Sequence, residues 1–428
     1  MCALKILGNF QSGMDLFEED ESKLKKIGAN KHLHYCISII YYMGLWPEKA
    51  KHKFLYDLYR ICTCFCMFGV IIISEIAYII VNFGDLDSMT AGATILMTTS
   101  TFGAKVIYII CRYKRIKDLV DVTNSEMFNR DNDKYERIIT RYSWQGIFHH
   151  TIYQTFAGIS VMSWGYMPVR NVFDGPSNSS KELPMPGWYP YNIESSPGFD
   201  IACMHQFVVS ILSCTNNVAI DSLITGLIIT ACCQLKLLHC NIAEIHCIEK
   251  DDLASNDNDN VKKSALKVYN DTYASLKHCV EHNPGYVRYF DILSTLNELH
   301  YNLFNSFQRI AGKCSVLIAF SFHVHNCELY SFYLQMKEYV PIDLLGMLMY
   351  MCCMSYQVFI FCWHGNELHL HSLNICFSAY TNNWWHNSKH FKQAIIILMT
   401  RAQWPITLTV GAVMELSLQN FVSVCILT

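Results

Sequence analysis

Residues 61–83 read ICTCFCMFGVIIISEIAYIIVNF, an apolar run broken by a single formal charge, Glu75. A helix needs about 20 such residues to cross a hydrocarbon core of about 30 Å, so this run is expected to span a membrane. A GDLDS turn follows at 84–88, and a second apolar run, rich in threonine and small residues, covers 89–111. Five further runs lie near 145–167, 201–234, 312–334, 341–363 and 406–428. The third is the most interrupted, by Gln145, His149, His150 and Gln154. The fourth is longer than a bilayer requires and is expected to project beyond it.

Charge orients these runs. Of 33 Lys and Arg, 29 fall on one side when the runs are threaded with the N-terminus inside, counting Lys313 at the inner edge of the fifth run. Arg170, Lys181 and Lys337 fall on the other side, and Lys105 falls within a span. Cytoplasmic loops retain cations because these resist translocation. The reading is therefore an all-α integral membrane protein with seven transmembrane helices, N-terminus cytoplasmic and C-terminus extracellular. That topology is inverted relative to G-protein-coupled receptors.

The chain divides accordingly into a cytoplasmic segment 1–60 and spans one to four over 61–234, with the main outer loop at 168–199. A cytoplasmic loop and helical extension follow at 235–308, then spans five and six over 309–363. A cytoplasmic region at 364–405 precedes the last helix, 406–428. The outer loop is rich in proline and glycine, marking irregular chain, and holds a glycosylation sequon at Asn178. A second sequon at Asn270 lies on the inner side and is expected to stay unmodified. The first 34 residues carry charge and no apolar leader, so the first span is expected to act as the signal anchor.

Twenty cysteines in 428 residues could suggest a disulfide framework, but the outer loops hold none. They read as reduced packing thiols. Catalytic motifs for nucleotide, metalloprotease or serine-hydrolase chemistry are absent, so the chain does not read as an enzyme and no cofactor or nucleic-acid partner is expected. His369 and His371 lack carboxylates at metal-binding spacing and read as ordinary polar residues; His323 and His325 read the same way. Ionisable groups inside a membrane are functional candidates; here they are Glu75, Asp221 and Glu328, each expected to be satisfied by a neighbouring helix or a water-filled crevice. Lys105 is expected to snorkel to the inner interface.

The C-terminal third carries a more specific pattern. Residues 361–385 read FCWHGNELHLHSLNICFSAYTNNWW, with Cys362, Gly365, Leu368, Ser372, Ala379-Tyr380 and Trp384. Then come Arg401-Ala402-Gln403, Pro405, Leu408-Thr409, Gly411, Ser417-Leu418 and Phe421. Over about 65 residues this resembles the insect odorant receptor family. The resemblance implies an odorant-binding subunit of a heteromeric ligand-gated non-selective cation channel in the plasma membrane of olfactory neurons. It implies a heterotetramer with an odorant co-receptor subunit, embedded in membrane lipid and detecting a small apolar volatile ligand. The co-receptor carries a longer second cytoplasmic loop, so the chain resembles the tuning subunit. The thr-tyr and gln-phe pattern of gustatory receptors is absent. The alternative is a heptahelical receptor signalling through G proteins, which would put the cations on the wrong face; a secondary transporter would need paired halves, which the sequence lacks.

The resemblance also implies an apolar pocket in the outer half, among spans two, three, four and six. It pins no residue there. Depth and helical period single out Ile95 and Thr98; Gly158, Met162 and Tyr166; Met204, Val208 and Leu212; and Leu345 and Met349. Burying a small odorant's carbon at about 25 cal/mol per Å² yields several kcal/mol, which corresponds to micromolar-range affinity. Ser417, Asn420, Val424 and Leu427 share one face of the last helix and are expected to line the pore. Family members continue about three helical turns further, to a hydrophobic gate that closes by dewetting. The sequence ends at Thr428, before those positions.

Overall fold

A computed structural model describes residues 30–49, 52–123, 133–173, 183–193, 195–243, 341–381, 384–386, 402–410 and 414–427, with a few positions between 392 and 400. The fifth span, Asn178, Asn270, Glu328, His323 and His325 lie outside the described residues, as does most of 235–308. The architecture is helical. A short helix, α1 (Lys31–Tyr42), precedes α2 (Lys53–Cys64), a π turn at Phe65–Gly69 and α3 (Val70–Val81), which together form the first span. Then follow α4 (Leu86–Thr123), α5 (Asp133–Phe173), α6 (Gly198–Ala243) and α7 (Pro341–Thr381). Two short antiparallel strands, β1 (Thr409–Val410) and β2 (Met414–Glu415), lead into α8 (Leu418–Leu427).

Length and burial distinguish the centre from the periphery. At 46 residues, α6 runs about 69 Å, more than twice the hydrocarbon thickness, as its sequence predicts. Its apolar window is 94% buried, against 28% for the first span. Helix α6 is thus the hub, packed by α5, α7 and α1, while α2 and α3 turn Leu55, Ile61, Ile73 and Ile80 outward. In a membrane such an apolar surface meets lipid and carries no desolvation cost. Three of the four polar residues that interrupt the third span bond neighbouring helices. His149 Nδ1 lies 2.7 Å from the Tyr356 hydroxyl, His150 Nδ1 3.0 Å from Ser222 Oγ, and Gln154 donates to Thr215 Oγ1 at 3.4 Å.

The N-terminal segment is not simply a cytoplasmic leader. Helix α1 buries Leu33, Cys36, Ile37 and Ile40 against the hub. Two glycines cut the groove that receives it: a Cβ on Gly146 would stand 2.8 Å from His32 Cγ, and one on Gly226 2.8 Å from Leu33 Cδ2. His32 Nε2 lies 3.1 Å from the Gly226 carbonyl oxygen, which can only accept, so Nε2 carries the proton. Burial pushes the His32 pKa down to about 4 and the Cys36 thiol up to about 12. An unreactive, protonated thiol is what a packing cysteine requires, and the described cysteines are all free.

The C-terminal signature is a docking surface. Cys362, Leu368, Ser372, Ile375 and Ala379, with Gly365 midway between the first two, lie at three- and four-residue spacing on one face of α7, and the five are each 2% exposed or less. Ser372 donates to the His369 carbonyl and accepts the Ile406 N–H at 3.0 Å. The Leu416 N–H bonds the Leu408 carbonyl at 2.7 Å, extending the β1–β2 ladder. Gly365 is the point of closest approach: a Cβ there would be 2.7 Å from Leu416 Cβ and 2.8 Å from its carbonyl oxygen. The predicted last helix, 406–428, is therefore corrected at its start. Residues 406–410 and 414–417 are extended and pair antiparallel against α7, and helix begins at Leu418. Pro405 and the β-branched run that follows favour extended chain.

Candidate functional site

Four helices turn one stripe each toward a common region. On α4 the stripe is Ile95, Thr98, Phe102 and Lys105, and on α5 it is Trp164, Ser160, Ala157 and Tyr153. On α7 it is Tyr350, Cys353 and Gln357. Helix α6 contributes a polar stripe, Gln206, Ser210, Ser213, Asn217 and Asp221, at helical spacing through an otherwise apolar run. The helices meet across this space. Thr98 Oγ1 lies 3.4 Å from the Tyr350 hydroxyl, and the Trp164 and Tyr350 rings are 5.3 Å apart. Helix α4 packs chiefly on α3, where Thr99 donates to Glu75 Oε1 at 2.9 Å, and approaches the hub more sparingly.

Burial varies along the stripes. Ile95, Thr98, Trp164, Ser213, Met349 and Tyr350 are half-buried, whereas Lys105, Tyr153, Asn217, Asp221 and Gln357 are buried. The inner end is closed by charge. Lys105 Nζ lies 3.1 Å from both Asp221 carboxylate oxygens and donates to Asn217 Oδ1 at 3.0 Å. Tyr153 donates to Asp221 at 3.2 Å and accepts from Asn217 at 3.2 Å, and the Gln357 amide also donates to Asp221. The expected snorkelling of Lys105 is thereby corrected: the side chain is 1% exposed and paired within the bundle. Snorkelling is a response to lipid, and Lys105 faces a carboxylate instead.

The outer end is covered by part of the long outer loop. The Met185 N–H donates to Gln206 Oε1 and its carbonyl accepts from Gln206 Nε2, both at 3.1 Å. The Trp188 N–H donates to the Ser74 carbonyl at 3.1 Å while Ser74 Oγ donates back at 2.8 Å. Tyr189 and His205 share a hydrogen bond of 3.1 Å. Between these clasps a Cβ on Gly187 would stand 2.8 Å from Ser74 Oγ, so the loop lies this close only because that residue is glycine. The Met185 sulfur hangs over the α6 stripe, 3.9 Å from Ser210 Oγ.

The residues singled out from sequence distribute unevenly over this site. Ile95 and Thr98 are on its α4 wall, and Met349 adjoins Tyr350 on α7. Leu212 is half-buried and packs on the core. Leu345 lies in the first turn of α7. The other stripes turn outward: Met162 is 61% exposed, Met204 62%, and Tyr166 and Val208 nearly half. A Cβ on Gly158 would meet nothing within 4 Å. On α5 and α6 the inward faces are instead those of Tyr153 and Gln206. The α6 stripe had a signal that the search for apolar pockets passed over: five polar residues at helical spacing inside a span. At the C-terminus, Ser417 Oγ accepts the Asn420 N–H at 3.2 Å and so caps α8, while Asn420 Nδ2 donates to the Glu415 carbonyl at 2.7 Å. Both expected pore residues use their polar atoms to start the helix. Val424 and Leu427 follow on the same face of α8.

The family model described as 7tm Odorant receptor matches residues 85–428. The chain belongs to the insect odorant receptor family. Its relatives include Odorant receptor Or1 of Anopheles gambiae, 22% identical over 390 residues and 88% of each chain. Odorant receptor 10 of Aedes albopictus is 23% identical over 273 residues, 64% of this chain and 59% of that one. The fold resembles that of olfactory receptor OR5 from Machilis hrabei in complex with eugenol, with a TM-score of 0.74 at 14% identity, covering 93% of this chain and 96% of that one. The receptor is accordingly an all-helical, multi-pass membrane protein of olfaction and not an enzyme.

Proposed function

We propose that this receptor is the odour-tuning subunit of a heteromeric, odorant-gated, non-selective cation channel, assembled with a co-receptor as a heterotetramer in the plasma membrane of olfactory neurons. The observation that carries the reading is the clasped space among α4, α5, α6 and α7. Its walls mix apolar side chains (Ile95, Phe102, Trp164, Ala157 and Cys353) with hydroxyls and amides, and a loop covers one end. That composition suits a small volatile molecule with one polar group: carbon burial supplies affinity, and Thr98, Tyr350 and Ser213 offer partners for a hydroxyl or carbonyl. The Machilis receptor of the same fold is known in complex with eugenol, a small aromatic phenol of this type. Ile95, Thr98 and Met349 are kept as ligand contacts from the sequence reading, joined by Trp164 and Tyr350. Val424 and Leu427 are the pore-facing candidates.

The experiment is co-expression with a co-receptor in cells lacking both, with currents recorded against an odour panel. The expected result is a current that needs both subunits and the odorant. Surface expression with no current to any odorant would overturn the reading, and an N-terminal tag stained on intact cells would reverse the topology.

A further inference from the structure

Three residues meet Asp221 and a fourth, Asn217, joins two of them, and together they come from four helices. Lys105 stands two turns inward of Thr98 on α4, and Gln357 two turns inward of Tyr350 on α7. Tyr153 is three turns inward of Trp164 on α5, and Asn217 is one turn inward of Ser213 on α6. The helices alternate in direction, yet each places its contribution at the inner end of its own wall stripe. From Gln206 beneath the loop to Asp221 is about 22 Å along α6 at 1.5 Å per residue.

We infer that the Lys105–Asp221 pair, with Tyr153, Asn217 and Gln357, is the floor of the proposed odorant site and the clamp that sets the spacing of its walls, making these five side chains positioning and specificity-determining residues. The inference rests on the channel reading above.

Three observations converge on it. First, the network is saturated: Asp221 receives both its lysine contacts and two further donors, and Asn217 bridges Lys105 to Tyr153. Saturation leaves no group free to bind a ligand, so the network bounds the site instead of coordinating its occupant. Second, beside the apolar packing of Val106 and Ile109 in the core, α4 is joined to the facing helices by polar contacts at two depths, Lys105 at the floor and Thr98 about two turns away. A lone charge in this setting would be costly, so each ion fixes the other's helix in position. Third, all five side chains of the network are buried, so the bundle is closed at their depth. An odorant can therefore extend no further inward than the plane of these side chains, and its length is limited by where the clamp sits.

The test uses the full receptor co-expressed with a co-receptor, at surface levels matched by biotinylation. The probes are agonists from the odour panel together with their homologues one and two methylenes longer. The reversals Lys105→Asp and Asp221→Lys each put like charges together. Each is expected to raise the half-maximal concentration about tenfold and to shift the rank order toward the longer homologues, as the walls part. The double reversal is expected to return sensitivity and rank order toward wild type. Wild-type sensitivity in the single variants, an equal loss for every odorant with rank order unchanged, or no recovery in the double reversal would each overturn the inference. Should the single reversals fail to reach the surface, Tyr153→Phe and Gln357→Met decide, since each removes one donor to Asp221 and leaves the ion pair; unchanged sensitivity and rank in both overturns it. A wild-type receptor silent to all probes would refute the channel reading itself, a result distinct from any of these.

Discussion

Replacing glycine by alanine should have opposite effects at Gly365 and Gly158. Both are helical, and in a helix interior alanine is favoured over glycine by about 0.5–1 kcal/mol. At Gly158 the added methyl meets nothing within 4 Å, so the intrinsic gain is expected in full. At Gly365 it would stand 2.7 Å from Leu416 Cβ and 2.8 Å from the Leu416 carbonyl oxygen. Neither atom is the end of a flexible side chain. Leu416 is held by its own N–H to Leu408 at 2.7 Å, so relief requires the hairpin to lift off α7. Overpacking of this kind costs about 1–3 kcal/mol, and a rigid backbone wall places it near the top of that range. Net of the helical gain, Gly365→Ala should lose about 2 kcal/mol. The two variants should then differ by about 3 kcal/mol. Thermal unfolding of purified receptor in detergent, followed by loss of the monodisperse chromatographic peak, reads the difference. If Gly365→Ala unfolds no lower than Gly158→Ala, the hairpin is not seated on α7 as described.

Ser372→Ala should cost about 1–3 kcal/mol by the same assay, because it leaves the buried Ile406 N–H without its acceptor; Ser372→Thr should recover part of that loss. His32 gives a pH dependence. Its folded pKa of about 4 lies below the ordinary 6.5, so the unfolded chain binds the extra proton between those values and stability falls as pH drops through that window. The loss approaches about 3 kcal/mol by pH 4 and is absent above pH 7; His32→Gln should flatten that slope in melting curves taken across the window. Asn178→Gln should abolish the mobility shift on glycosidase treatment, while Asn270→Gln should leave it intact. The opposite result would invert the topology.

The membrane class and the existence of helices at the first four apolar runs and the sixth were readable from the sequence, because lipid permits few alternatives to a helix. The family pattern at 361–421 was readable too, and the structure gives it a cause: Gly365, Ser372 and Ala379 are the face on which the C-terminal hairpin lies. The site was less legible. Period assigned Met162, Tyr166, Met204 and Val208 to one stripe of each helix, but period alone does not say which stripe faces inward when lipid is as apolar as a protein core. The extended segments 406–410 and 414–417 were missed for a similar reason, since an apolar run of that length suits a strand or a helix. Lys105 was misread because a lysine within a span can reach toward water or toward a carboxylate, and the carboxylate lies 116 positions away in the chain.

Sequence by itself determined that this chain is a helical membrane protein and which family it belongs to. These follow from the local free energy of moving side chains into lipid and from short motifs. Tertiary structure decided which stripe of each helix faces its neighbours, that α1 fits a groove between two glycines, and that Lys105 and Asp221 close the inner end of one space. Those outcomes depend on contacts between residues far apart in sequence, and the composition of no single segment encodes them.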